Sequence, residues 1–271
     1  MVVPTMLAQI VDHLHGATDA DTPSLATLSY GGARMPIPVL DRALELFPTT
    51  GFVNAYGLTE TSSTIALLGP DDHRAAFGSD DPAARTRLGS VGRLVPGIEL
   101  EVRDDDGTVL GPGQVGLLFL RGEQISGEYA GVTQLEDDGW FPTRDRGWID
   151  DDGYLFVEGR ADDTIIRGGE NIAPAEIEDV LVSHDGIIDA VVVGVPDDRW
   201  GQRLAAVVVR GESGPAGGDG HAVGAEELQQ LVRDRLRSSK TPETIEFWPE
   251  LPRTDTGKLL RREVLARLTG A

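Results

Sequence analysis

Twice near the start of the chain a short β-prone run stops at glycine. Leu25-Ala26-Thr27-Leu28-Ser29-Tyr30 ends at Gly31-Gly32, and Gly51-Phe52-Val53-Asn54-Ala55 runs into Tyr56-Gly57-Leu58-Thr59-Glu60. Between them, from Pro38 onward, Val39, Leu40, Ala43, Leu44 and Phe47 recur at helical spacing. This order of strand, glycine and helix restricts residues 1–86 to an α/β arrangement. It places both glycine turns at the carboxyl ends of strands, where open α/β sheets bind ligands. Taken singly, Gly31-Gly32-Ala33 reads as a tight turn, and Thr59-Glu60 as a helix start whose acid complements the dipole.

From Arg87 to Arg160 the texture becomes short β runs separated by Asp104-Asp105-Asp106-Gly107, Gly111-Pro112-Gly113 and Asp150-Asp151-Asp152-Gly153. Hairpins or a small barrel are expected over 87–160. Aspartates in such clusters bond the local backbone, which accounts for them without a metal. Gly127-Glu128-Tyr129 reads as a bulge.

After Arg160 the pattern changes again. Pro174 opens a helix with Ile177, Val180 and Leu181 on its apolar face, and Ala190–Val195 and Leu204–Val209 read as buried strands. Residues 211–224 read as a Gly-rich surface loop. A helix over 225–239, a strand near 244–248 and a last helix over 259–268 complete an α+β unit of residues 161–271.

Composition narrows the function classes. Forty-five acidic against 24 basic residues leave a net charge of -21, which repels nucleic-acid polymers and acidic membrane surfaces. No run is long enough to span a membrane, and no basic segment precedes an apolar run at Met1-Val2-Val3-Pro4-Thr5, so a cytoplasmic protein is expected. Cysteine is absent, the five histidines share no metal-ligand spacing apart from the weak His13-Leu14-His15, and no serine sits in a nucleophile elbow. Only Lys240 and Lys258 among the 24 basic residues are lysine. Lys240 reads as a solvated helix-end residue.

Seven ordered segments carry a resemblance. They are Tyr30-Gly31-Gly32-Ala33; Tyr56-Gly57-Leu58-Thr59-Glu60; Gly139-Trp140-Phe141-Pro142-Thr143-Arg144-Asp145; Gly153-Tyr154-Leu155; Gly159-Arg160-Ala161-Asp162-Asp163; Gly168-Gly169-Glu170-Asn171-Ile172 with Pro174 and Glu176-Ile177-Glu178; and Leu251-Pro252-Arg253-Thr254-Asp255-Thr256-Gly257-Lys258. In this order they resemble the C-terminal half of an adenylate-forming enzyme of the acyl-CoA synthetase, AMP-dependent ligase superfamily. The fold implied is the α/β and β-barrel remnant of the large AMP-binding domain, residues 1–160, followed by a mobile small α+β domain, 161–271, hinged near Asp162.

The resemblance implies an AMP-forming carboxylate–CoA ligase that uses ATP and Mg²⁺ to activate a carboxylic acid as acyl-adenylate and passes it to coenzyme A. Lys258 would stabilise the charge that develops at the α-phosphate and acyl oxygen. Thr59 would contact the α-phosphate, and Glu60 would serve Mg²⁺. Asp145 would accept both ribose hydroxyls, with Arg160 as a further ribose contact. Gly31, Gly32, Ala33, Asn54, Tyr56 and Gly57 would frame the adenine, with Tyr56 stacking on it. Gly168 and Gly169 would line the pantetheine arm.

Two departures stand out. The family's phosphate loop lies upstream of these motifs and has no counterpart before Tyr30, where residues 1–29 hold one glycine and no lysine. A complementing N-terminal half, or self-association through the surface it would cover, follows as an expectation. Arg144 occupies the position where the family usually has glycine, and a bulky cation there either pairs with phosphate or crowds the nucleotide. The competing readings are a non-catalytic nucleotide-binding, pantetheine-binding or partner-docking module, and an adenylation domain that acylates a carrier protein.

Overall fold

The computed structural model describes residues 1–14, 16–17, 20, 22–126, 128–129, 132–133, 135–211, 223–254 and 257–270. Most of the Gly-rich loop expected over 211–224 lies outside them, as do Gly127, Asp255 and Thr256. The chain divides into two compact units, Met1–Ala161 and Asp162–Ala271.

The first unit opens with α1 (Pro4–His13), β1 (Thr27–Gly31), α2 (Ile37–Leu46), β2 (Gly51–Leu58), β3 (Ser63–Leu68), α3 (Pro70–Phe77), α4 (Pro82–Thr86) and β4 (Arg93–Leu94). Each of these four helices carries proline in its first two positions, where the missing N–H costs nothing. β1 and β2 run parallel, β3 and β4 add antiparallel, and the order is β1-β2-β3-β4. Leu40, Ala43 and Leu44 of α2 pack with Leu7, Tyr30 and Phe52 to bury the sheet's first face.

The expected helix after Tyr56-Gly57 is not there. β2 continues to Leu58, and Thr59–Thr61 forms a single 3₁₀ turn that reverses the chain into β3. The buried Thr61 hydroxyl closes this reversal: it accepts from the Leu58 N–H, and its single hydrogen faces the carbonyls of Leu58 and Ser63, 2.9 and 2.8 Å away, donating to one of them at a time. A hydroxyl that satisfies both sides of a turn outcompetes helix propagation.

The β-rich part holds β5 (Glu99–Arg103), β6 (Gly116–Arg121), the short pair β7 (Glu128–Tyr129) and β8 (Val132–Thr133), β9 (Phe141–Ile149) and β10 (Leu155–Arg160). The four long strands form an antiparallel sheet ordered β10-β9-β6-β5. Among the described residues no barrel closes. The sheet is open, since closure demands strand tilt and stagger shared over more strands than four. Asp104 and Asp150 each accept two backbone N–H bonds within their own turns.

The second unit holds β11 (Ile165–Arg167), β12 (Glu170–Ile172), α5 (Pro174–Val182), β13 (Ile187–Asp197), β14 (Gly201–Arg210), α6 (Ala225–Arg235), β15 (Thr244–Phe247) and α7 (Arg261–Thr269). β13 and β14 form a long antiparallel hairpin that β15 extends in parallel. Its valine-rich sequence reflects burial on both faces. Val192, Leu204, Ala206 and Val208 meet Ile177, Leu181, Leu228 and Val232 on one side, and Val191, Val193, Val207 and Val209 meet Leu251 and Val264 on the other. α6 ends earlier than its periodicity suggests, and a 3₁₀ turn at Ser238–Lys240 follows. That turn brings Lys240, taken from sequence as solvated, to within 2.6 Å of the Glu176 carboxylate at the start of α5.

Candidate functional site

The polar centre of the first unit is built on a strand irregularity. Along β6 and β9 the register passes from Leu117 opposite Arg146 to Phe119 opposite Pro142, so Thr143, Arg144 and Asp145 together face Leu118. The Thr143 hydroxyl stitches this bulge: it donates to the Leu118 carbonyl at 2.9 Å and accepts the Asp145 N–H at 3.0 Å. Bulges of this kind re-aim side chains. Here Asp145 is turned into the protein, only 5% exposed.

Its carboxylate is held from two directions. The Tyr56 hydroxyl of β2 donates to Oδ2 across 89 residues of sequence. Arg160, directly opposite on β10, lies 3.3 Å from Oδ1 and donates to the Thr143 carbonyl at 2.7 Å. Burial and the adjacent Asp145 charge push the Tyr56 phenol well above its ordinary range, so it stays a donor. The Tyr56 ring packs against the cluster that holds Ile65, Ile98, Leu120 and Phe141.

The glycines are sterically required. A Cβ on Gly31 would lie 2.6 Å from the Ala55 carbonyl, and one on Gly57 would lie 1.9 Å from the Ser63 carbonyl. Gly32 has φ +81° and leads into the exposed Ala33. The Asn54 amide is committed to the Ser90 carbonyl at 3.1 Å, a structural bond. Thr59 is exposed, and Glu60 is pinned through its carbonyl by the N–H and hydroxyl of Ser126, 3.1 and 3.0 Å away. Among the described residues the Glu60 carboxylate has no hydrogen-bond or ion-pair partner.

Lys258, Gly168 and Gly169 belong to the second unit, which begins at Asp162. Gly168 and Gly169, with φ +59° and +86°, form the two-residue turn of the hairpin joining β11 to β12, a conformation that two L-residues rarely share. The Gly168 N–H donates to the Trp200 carbonyl at 2.8 Å, and a Cβ there would lie 2.9 Å from the Trp200 ring. Lys258 is exposed and held through its backbone: its carbonyl accepts from the Thr254 N–H at 2.9 Å, and its N–H donates to the Thr254 hydroxyl at 3.0 Å. Arg253 braces the loop, donating to the Gly257 carbonyl at 2.9 Å and the Asp189 carboxylate at 2.7 Å.

Sequence reasoning missed Thr143, Trp200 and the Arg253–Asp189 brace. Thr143 had a signal, since it alternates with Asp145 at period two. The other two depend on pairings between distant segments.

Profiles described as AMP-binding enzyme and AMP-binding enzyme C-terminal domain match residues 1–130 and 176–258. The chain belongs to the AMP-binding, adenylate-forming enzymes. Within this family it is 37% identical to the fatty acid–[acyl-carrier-protein] ligase ScoC of Streptomyces coeruleorubidus, over 99% of this chain and 49% of that protein. It is 36% identical to a 2-succinylbenzoate–CoA ligase of Bacillus cereus, over 97% of this chain and 50% of that one. The structure of the o-succinylbenzoate CoA synthetase MenE from Bacillus subtilis, in complex with its acyl-adenylate intermediate, aligns with a TM-score of 0.76 at 31% identity, over 97% of this chain and 50% of that one. The chain spans about half the length of the curated AMP-binding relatives it matches.

Proposed function

We propose that the chain carries the nucleotide-handling and thiol-handling parts of a cytoplasmic AMP-forming acid–thiol ligase. In this reading a carboxylic acid is activated as its adenylate and delivered to the thiol of coenzyme A. The observation that carries the proposal is the buried Asp145 carboxylate, fixed by Tyr56 and Arg160 in a unit whose residues 1–130 match AMP-binding enzymes.

A carboxylate has acceptor capacity for two vicinal hydroxyls, and Arg160 offsets its charge so that it can serve them while buried. Gly32, where a Cβ would meet nothing within 4 Å, leaves open space for a flat base, while Gly31 and Gly57 let the strands behind it close up. ATP supplies the adenylyl group, and Thr59 offers a hydroxyl to its α-phosphate. No group of three carboxylates or histidines forms a metal cage among the described residues. The single Glu60 carboxylate fits Mg²⁺, which keeps several waters and draws its other ligands from substrate phosphates. Lys258 supplies a compact, exposed cation for the negative charge that develops as the acyl–phosphate bond forms. The Gly168-Gly169 turn offers a side-chain-free surface to a pantetheine arm. A boundary at Asp162 lets the second unit present Lys258 for one step and that turn for the other.

A carrier-protein acceptor is the second reading, favoured by the similarity to ScoC. Calorimetric titration with AMP, wild type against Asp145→Ala, tests the nucleotide site. Incubation of preformed acyl-adenylate with coenzyme A or with a pantetheinylated carrier protein tests the acceptor. Micromolar AMP binding that Asp145→Ala abolishes, together with thioester formation above the uncatalysed rate, is expected. Absence of both overturns the proposal.

A further inference from the structure

Arg144 sits where a side chain is hard to keep. At φ +61° it occupies the left-handed region in the middle of β9, at the crest of the bulge beside Asp145. That conformation is strained for a non-glycine residue. The structure thus gives a physical reason for the glycine that the family usually has here, and leaves the arginine to be explained.

Internal interactions do not explain it. Arg146, two residues on, is paired with Asp105 at 3.0 Å, and Arg160 across the sheet is committed to Asp145 and the Thr143 carbonyl. Arg144 is exposed, and among the described residues its guanidinium makes no hydrogen bond, ion pair or ring contact. Strain that nothing in the fold repays is characteristic of ligand contacts.

The ligand's chemistry follows from charge. Asp145 and Glu60 are both anionic, and the chain as a whole carries -21. A nucleotide polyanion brought to this site needs a local cation to offset that field. The 5′-phosphate of a nucleotide lies about a sugar's width from the ribose hydroxyls, within the span of an arginine side chain rooted next to the residue that holds those hydroxyls. A guanidinium can take two phosphate oxygens at once.

We propose that Arg144 is a phosphate-binding residue, gripping the phosphate of the nucleotide whose ribose Asp145 accepts. This rests on the reading of Asp145 as the ribose acceptor. The test is calorimetric titration of the 271-residue chain with adenosine and with AMP at low ionic strength, for wild type, Arg144→Gly, Arg144→Asn and Asp145→Ala. Asparagine tolerates the left-handed region without a charge, so it separates loss of the cation from relief of the backbone. Both Arg144 variants are expected to bind AMP about tenfold or more weakly, with adenosine affinity unchanged within about twofold and the AMP difference shrinking as salt is raised. Arg144→Gly should also raise the melting temperature.

Equal losses for adenosine and AMP, or unchanged AMP affinity, overturn the arginine proposal alone, provided Asp145→Ala abolishes binding of both ligands. Wild-type protein that binds neither ligand, or adenosine binding that survives Asp145→Ala, overturns the ribose reading and this proposal with it.

Discussion

The two units hold their key charges in opposite ways. Asp145 is buried and gripped through its side chain by Tyr56 and Arg160, whereas Lys258 is exposed and, among the described residues, gripped only through its backbone, by Thr254 and, through Gly257, by Arg253. A group that only has to recognise a ligand gains from having its oxygens fixed in advance, because no reorganisation remains at the moment of binding. In the role proposed for Lys258, a fixed backbone with an exposed ammonium suits a cation that must follow a developing charge.

The largest effect that bears on this contrast is kinetic. Lys258→Ala should lower acyl-adenylate formation, followed by pyrophosphate release, by roughly a hundred- to a thousandfold. AMP affinity and melting should stay within about 0.5 kcal/mol of wild type, as for an exposed side chain. A drop in stability comparable to that of a buried charge would erase the distinction between the two grips. Next comes Asp145→Ala, which strips Tyr56 and Arg160 of their shared carboxylate and should abolish AMP binding while destabilising the first unit by roughly 2–3 kcal/mol, measured by denaturant melts.

A smaller effect is expected at the brace. Arg253→Ala leaves Asp189, whose carboxyl burial already pushes above its ordinary value, without the guanidinium that pulls it back. It should cost about 1–2 kcal/mol and raise hydrogen exchange in the Lys258 loop. Unchanged exchange at Gly257 and Lys258 would show that the loop is rigid without it.

The smallest effect concerns pH. His73, fully buried on α3, accepts from the Tyr30 hydroxyl at 2.8 Å through Nε2 and donates from Nδ1 to the Gly69 carbonyl at 2.7 Å. Burial lowers its pKa from the ordinary 6.5, partly opposed by the Gly69 carbonyl. The folded state therefore binds this proton less readily than the unfolded one. The stability it contributes is complete above pH 6.5 and is lost as pH falls from there through the lowered value. Hydrogen exchange in α3 and β1 should accelerate from pH 7.5 to 5.5 after correction for intrinsic rates, and His73→Gln should flatten that dependence. No such response is expected in β13–β14.

Sequence alone exposed what is local. Glycine at 31, 57, 168 and 169, Pro174 at a helix start and the paired valine runs of the second unit all announce their elements, because backbone sterics and burial act residue by residue. The reversal at Thr59–Thr61 stayed hidden because it hangs on one hydroxyl. The grip on Asp145 was hidden for a different reason. Tyr56 and Arg160 reach it only through the register of two sheets, and the bulge at Thr143 shifts that register. Candidate residues were therefore readable as a set, and their mutual geometry was not.

The hairpin of β13 and β14, packed on both faces, has a mechanical consequence. Neither layer of side chains can loosen without exposing the plate that supports the other. The Lys258 loop and the Gly168-Gly169 turn ride on one stiff body. Both belong to the same compact unit, so a change that loosens the shared hairpin reaches the two features together.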